Sequence, residues 1–231
     1  MFTGFSREML AFFAAIRFNN NREFFEENRQ IYEQAVRNPL MALAETLAPT
    51  VLAIDPQLDA RPGRSVSRIH RDVRFSKDKS PYRDYMWVGF RQTGESREDT
   101  CGFYFDISDT AVHWGCGYYH MQPEYLKNLR QLILDKPTYV QGILDEPAFA
   151  GTYQVCGERY VRQYAPPEHL SEALGALYQK KSVYIEHTLE DMEELFSPAL
   201  ADRVAADFRM AEPFYTLMRK CAVKRIEEAR V

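Results

Sequence analysis

The chain has 231 residues, a formal net charge of −4 and 45% hydrophobic residues. That balance excludes wholesale disorder, and no apolar run is long enough for a membrane-spanning helix. A pI near 5.8 argues against a dedicated nucleic-acid coat.

The first residues, Met1–Glu8, lack the basic stretch, apolar core and cleavage site of a signal peptide. A helix follows, with Ser6 as N-cap and an apolar face of Met9, Phe12, Phe13 and Ile16. Asn20 and Glu23 have capping-box spacing for a second helix that buries Phe25, Tyr32 and Val36. Asn38-Pro39 closes that helix and opens a third, carrying Leu40, Leu43 and Leu47. Pro49 and Pro56 then end the helical pattern, so residues 49–64 read as a connector.

The period changes in the middle of the chain. Tyr85–Arg91, Gly102–Ile107 and Ala111–Cys116 alternate apolar and polar residues, with Ser108-Asp109-Thr110 as a turn. These are the signals of an antiparallel meander. Arg64–Phe75 begins as a further strand through Val66 to His70. Helical spacing returns at Pro123–Leu134 and 138–144. Residues 151–165 are mixed. Glu168–Leu177 reads as helix and Ser182–His187 as strand. Pro198–Ala211 and Glu212–Arg230 read as amphipathic helices split at Pro213. Helices, then strands, then helices make an α+β fold, here expected as a single domain over residues 1–231.

Charge is distributed unevenly. Arg61–Arg91 holds nine basic and three acidic residues, a local +6, which leaves the remainder at −10. Within it runs Arg68-Ile69-His70-Arg71-Asp72-Val73-Arg74-Phe75-Ser76-Lys77-Asp78-Lys79-Ser80-Pro81-Tyr82-Arg83. This stretch resembles the R-x-x-R-D-x-R-F-S-K-D-K-x-P-Y-[KR] core of the bacterial family called domain of unknown function 2461. The F-x-G-F at Phe2–Phe5, Phe12-Phe13, Asn19-Asn20 and the G-x-G at Gly115 and Gly117 extend the resemblance over most of the chain. Tyr160–Pro167 departs from the basic, Pro- and Gly-containing segment of that family. The resemblance implies kinship and brings no activity with it.

The residues themselves point to an anion site. Guanidinium forks match phosphate and carboxylate oxygens. In an extended segment Arg68, His70, Asp72 and Arg74 share one face, and Ile69, Arg71, Val73 and Phe75 the other. Ser76, Lys77 and Lys79 offer further donors, and Tyr82 and Arg83 flank a backbone fixed by Pro81. His113, Gly115 and Gly117 lie where a strand is expected to deliver a turn beside this segment. Asp72 then orients the arginines or acts as general base, with His70 or His113 as proton carrier. The bland counterpart is a solvated Arg–Asp network with structural histidines and glycines that merely make room.

No Walker A loop, G-x-S-x-G elbow or H-E-x-x-H helix is present. No cofactor and no metal ligand set is expected. Four widely spaced cysteines, Cys101, Cys116, Cys156 and Cys221, read as reduced thiols of a cytoplasmic protein. The expected partner is a small phosphate- or carboxylate-bearing ligand. The alternative is an interaction protein docking an acidic partner or nucleic acid through the basic segment. No membrane partner is expected, and the composition leaves catalysis and oligomeric state open.

Overall fold

A computed structural model describes residues 1–95, 99–160 and 165–222. Helix α1 (Arg7–Phe18) buries Met9, Phe12, Phe13 and Ile16, the stripe its spacing marks. Ser6 sits at its N-cap in extended backbone, but its side chain makes no capping bond. Its carbonyl instead accepts the Met9 N–H at 3.1 Å.

Helix α2 (Arg22–Glu27) is capped by Asn21, whose side chain accepts the Phe24 N–H at 2.9 Å. The cap is therefore one residue later than the capping-box spacing of Asn20 suggests. Asn38-Pro39 opens a helix as expected, with Pro39 in its first turn, but the chain runs into it without a gap. Helix α3 (Arg29–Ile31), a π-helical turn (Tyr32–Arg37) and helix α4 (Asn38–Ile54) follow one another directly. The π turn lies just before Pro39, where the ring would otherwise crowd the preceding turn. Pro49 lies inside α4, which continues to Ile54 because Leu40, Leu43, Ala44, Leu47 and Val51 bury one continuous face. Packing of that face outweighs the hydrogen bond that proline cannot make.

Strand β1 (Leu58–Asp59) and a single turn of helix, α5 (Pro62–Ser65), occupy the rest of the expected connector. Strands β2 (Tyr85–Gln92), β3 (Gly102–Ser108) and β4 (Val112–Tyr118) form the expected meander. Strands β5 (Gln154–Cys156) and β6 (Val183–Thr188) complete a six-stranded sheet of order β1-β2-β3-β4-β6-β5. Its edge pairs β1–β2 and β5–β6 are antiparallel. The α+β class read from the sequence is the observed one.

The chain divides into two compact units that interleave in sequence. The first comprises Met1–Thr93, Phe103–Gly115 and His187–Arg209. In it Phe105 stacks with Phe5 and with Trp114, each at 6.1 Å between ring centroids, and Phe103 meets Phe208 at 4.9 Å. Helix α10 (Ala199–Met210) supplies Leu200, Val204 and Phe208 to that core.

The second unit comprises Gly94–Gly102, Cys116–Glu186 and Met210–Val231. Helix α6 (Pro123–Asp135) buries Leu126, Leu129 and Ile133, and α7 (Pro137–Leu144) buries Val140 and Ile143. Helix α8 (Pro147–Thr152) brings Phe149 within 5.9 Å of Phe214 on α11 (Glu212–Ala222). Helix α9 (Glu172–Tyr178) starts later than residue 168, because Ser171 caps it by accepting the Leu174 N–H. The reading of helix beyond Ala222, and residues 161–164 of the Tyr160–Pro167 stretch, lie outside the described residues. Among the described residues no helix is long and apolar enough to cross a membrane.

Candidate functional site

The basic segment lies wholly in the first unit. It is not a regular strand. Isolated antiparallel bridges join Val66 to Val88 and His70 to Tyr82. Ser67 N–H donates to Trp87 O, Arg71 N–H to Pro81 O and Arg83 N–H to Ile69 O, each at 2.8 Å. Residues 66–71 thus run antiparallel to 81–88, with 72–80 as the tip of an irregular hairpin. Pro81 keeps the pairing discontinuous, since proline cannot donate to a ladder.

Ile69 and Tyr82 are buried and root the hairpin. The Tyr82 ring stacks on Phe25 at 4.3 Å, and His70 packs against both rings. Asn20 clasps the Tyr82 backbone from the side. Its Nδ2 donates to Tyr82 O and its Oδ1 accepts Tyr82 N–H, both at 2.9 Å. An amide side chain here replaces a missing strand neighbour. Because Asn21 takes the helix cap, Asn20 is free for this task. Arg17 adds a second anchor by pairing with Asp84 at 2.8 Å and with Asp109.

At the tip, most of the arginines are already engaged. Arg74 forms a bidentate pair with Asp72, with Nη2 at 2.6 Å. That pair holds the Asp72 carboxyl down at about 2. Arg71 pairs with Asp78, whose carboxyl is pushed well below the usual range, first by the Ser80 hydroxyl and then by Arg71. Arg83 donates to the carbonyls of Arg68 and His70 at 2.6 and 2.5 Å and lies over the Trp87 ring. Lys79 Nζ donates to Val73 O at 2.9 Å, and the half-buried Ser76 donates its N–H to the same carbonyl. Arg68 and Lys77 are exposed and have no carboxylate partner among the described residues. Phe75 is 94% exposed, with the Arg74 guanidinium 5.8 Å from its ring centre.

The remaining expected site residues sit on β4. Gly115 and Gly117 fall inside that strand, not in a turn after it. His113 bonds through Nδ1 to Asp106 Oδ2 at 3.0 Å, a partner one hairpin turn away that sequence reading did not pick out.

A second polar cluster of the first unit was also invisible in the sequence. The indole N–H of buried Trp114 donates to Asp207 at 2.9 Å. His187 lies 4.4 Å from Trp114, and Arg203 reaches both the His187 Nε2 and Glu194. Burial pushes the Asp207 carboxyl up despite the Trp114 bond and the nearby Arg203 and His187. Only the 3.6-residue spacing of Arg203 and Asp207 hinted that they share a face of α10.

A family model described as "Conserved hypothetical protein (DUF2461)" matches residues 8–217. No curated protein matches the chain. The match spans most of the sequence, and the chain belongs to that family.

Proposed function

We propose that this family member uses the hairpin of residues 66–88 to dock an extended polyanion, and that a single nucleic-acid strand is the partner its tip fits. The observation that carries this reading is Phe75, 94% exposed at the tip and flanked by exposed cations. A bare aromatic ring beside Arg74, with Lys77 two residues on and without a carboxylate partner among the described residues, combines a stacking face with phosphate-neutralising charge. A protein of net charge −4 gains nothing in stability from an exposed phenylalanine on a +6 segment.

A small enclosed anion is less well served. Arg71, Arg74 and Arg83, which would have to converge on it, are held by Asp78, Asp72 and two backbone carbonyls. A carboxyl held at about 2 is also a weak base near neutral pH. In this proposal Asp72 restrains Arg74, and His70 packs the root of the hairpin.

Fluorescence anisotropy with a labelled thymidine oligonucleotide tests the reading. Affinity should fall steeply as salt rises. Phe75→Ala should weaken binding about tenfold, the scale of one lost base stack. Asp72→Asn should tighten binding severalfold and steepen the salt dependence, because it releases the Arg74 charge. Oligonucleotide binding that is indifferent to Phe75, or polyglutamate bound as tightly as the oligonucleotide, would sink the proposal. Tight binding of pyrophosphate alone would return the hairpin to a small-anion role.

A further inference from the structure

Lys180 and Lys181 are neighbours in the second unit with opposite surroundings. Lys181 is half exposed and pairs with Glu158 at 2.8 Å. That bond raises its pKa. Lys180 is only 7% exposed. Its Nζ makes one hydrogen bond among the described residues, to Gly157 O at 3.2 Å. An ammonium has three donors, and the described residues engage one of them.

Among the described residues no carboxylate pairs with the Lys180 amine, and the nearby Glu158 is taken by Lys181. The charged or titratable groups that act on it are Arg159, a cation, and Cys156, whose own thiol is pushed up by burial. Burial first, and Arg159 second, lower the pKa of the amine. A desolvated lysine beside another cation is the setting in which a protein makes an amine nucleophilic.

Arg159 stands directly opposite Lys180 in an antiparallel bridge. Residues so paired send their side chains to the same face. Arg159 is exposed and has no carboxylate partner among the described residues. Gly157, whose carbonyl accepts from Lys180, packs tightly on Ser182. Its φ is +125°, and a Cβ there would fall 1.9 Å from Ser182 O. No other residue lets the Gly157 backbone approach Ser182 this closely.

We infer that Lys180 is a covalent docking site for a small 2-oxo acid, its amine taking the carbonyl carbon and Arg159 the carboxylate. The Lys180 nitrogen lone pair adds to the carbonyl carbon to give a carbinolamine. Loss of the former carbonyl oxygen as water, with both protons of the neutral amine, leaves a C=N bond. One amine and one 2-oxo acid give one imine and one water, with no change of oxidation state. The Gly157 carbonyl holds the amine by its hydrogen bond at 3.2 Å.

Reductive trapping tests this on the full chain. The protein is incubated near neutral pH with pyruvate and cyanoborohydride, and the reduced adduct is mapped by peptide mass spectrometry. Lys180 should be labelled severalfold faster than Lys77, an exposed lysine. Labelling of Lys180 no faster than Lys77 overturns the inference, and needs no variant that might fail to fold. Lys180→Arg keeps a cation but cannot form an imine, and should abolish the fast adduct while leaving the oligonucleotide binding of the hairpin unchanged. Arg159→Met should slow labelling by pyruvate more than by acetaldehyde, which has no carboxylate and registers only the loss of a neighbouring cation. Equal slowing of both, or of neither, removes Arg159 from the site and with it the 2-oxo acid.

Discussion

Gly117→Ala should destabilise the protein by about 3 kcal/mol, the sum of backbone strain and forced overpacking. Gly117 lies in β4 with φ +137°, a region L side chains rarely enter. A Cβ there would approach Tyr184 Cα to 2.5 Å and Val183 O to 2.6 Å. Both are backbone atoms of β6, so no rotamer change can relieve the contact. For a chain of this size the loss corresponds to a fall in Tm of roughly 6–12 °C. Gly89→Ala is the matched control within the sheet, since its Cβ would meet only Trp87 at 3.6 Å. It should be neutral or slightly stabilising. Equal urea midpoints for the two variants would show that β6 can move away from Gly117.

Trp114→Phe should cost about as much, roughly 3 kcal/mol, from lost volume and an orphaned acceptor. The indole is fully buried, and its N–H is the donor to Asp207. Phenylalanine leaves that buried carboxyl without its bond. The cost should also depend on pH. Asp207 has its pKa raised above the ordinary 3.8 by burial. Its protonated form is therefore favoured in the folded state, so its contribution is fully present below 3.8 and is lost as pH rises through the folded value. Removing the Trp114 bond, which opposes the upward shift, widens that loss. The deficit of Trp114→Phe should thus be larger near neutral pH than in acid. Asp207→Asn keeps an acceptor for the indole and removes the charge, so it should raise the neutral-pH Tm of the native sequence. A lower Tm for Asp207→Asn would mean that attraction to Arg203 and His187 outweighs desolvation, contrary to the direction of the shift.

Much of the fold was legible because helical and strand periods are local. Met9, Phe12, Phe13 and Ile16 mark the buried face of α1, and Phe103, Phe105 and Ile107 that of β3. The failures are equally specific. Pro49 reads as a breaker, yet α4 passes through it because the apolar face on either side is packed. Asn20 reads as a cap, but with Asn21 next to it the pattern is ambiguous by one residue. That residue decides which asparagine holds Tyr82. Gly115 and Gly117 read as a turn because nothing local distinguishes a loop glycine from one against which another strand packs.

The amino-acid order alone determined the α+β class, the inward faces and the location of the +6 segment, since each depends on spacing within a few residues. The tertiary structure alone decided which charges are left over. Asp72 and Asp78 hold Arg74 and Arg71, Glu158 selects Lys181 over Lys180, and Asp207 lies beneath Trp114 across 93 residues of chain. Attraction between charges falls with distance and rises with burial, and neither quantity is written in the order of residues.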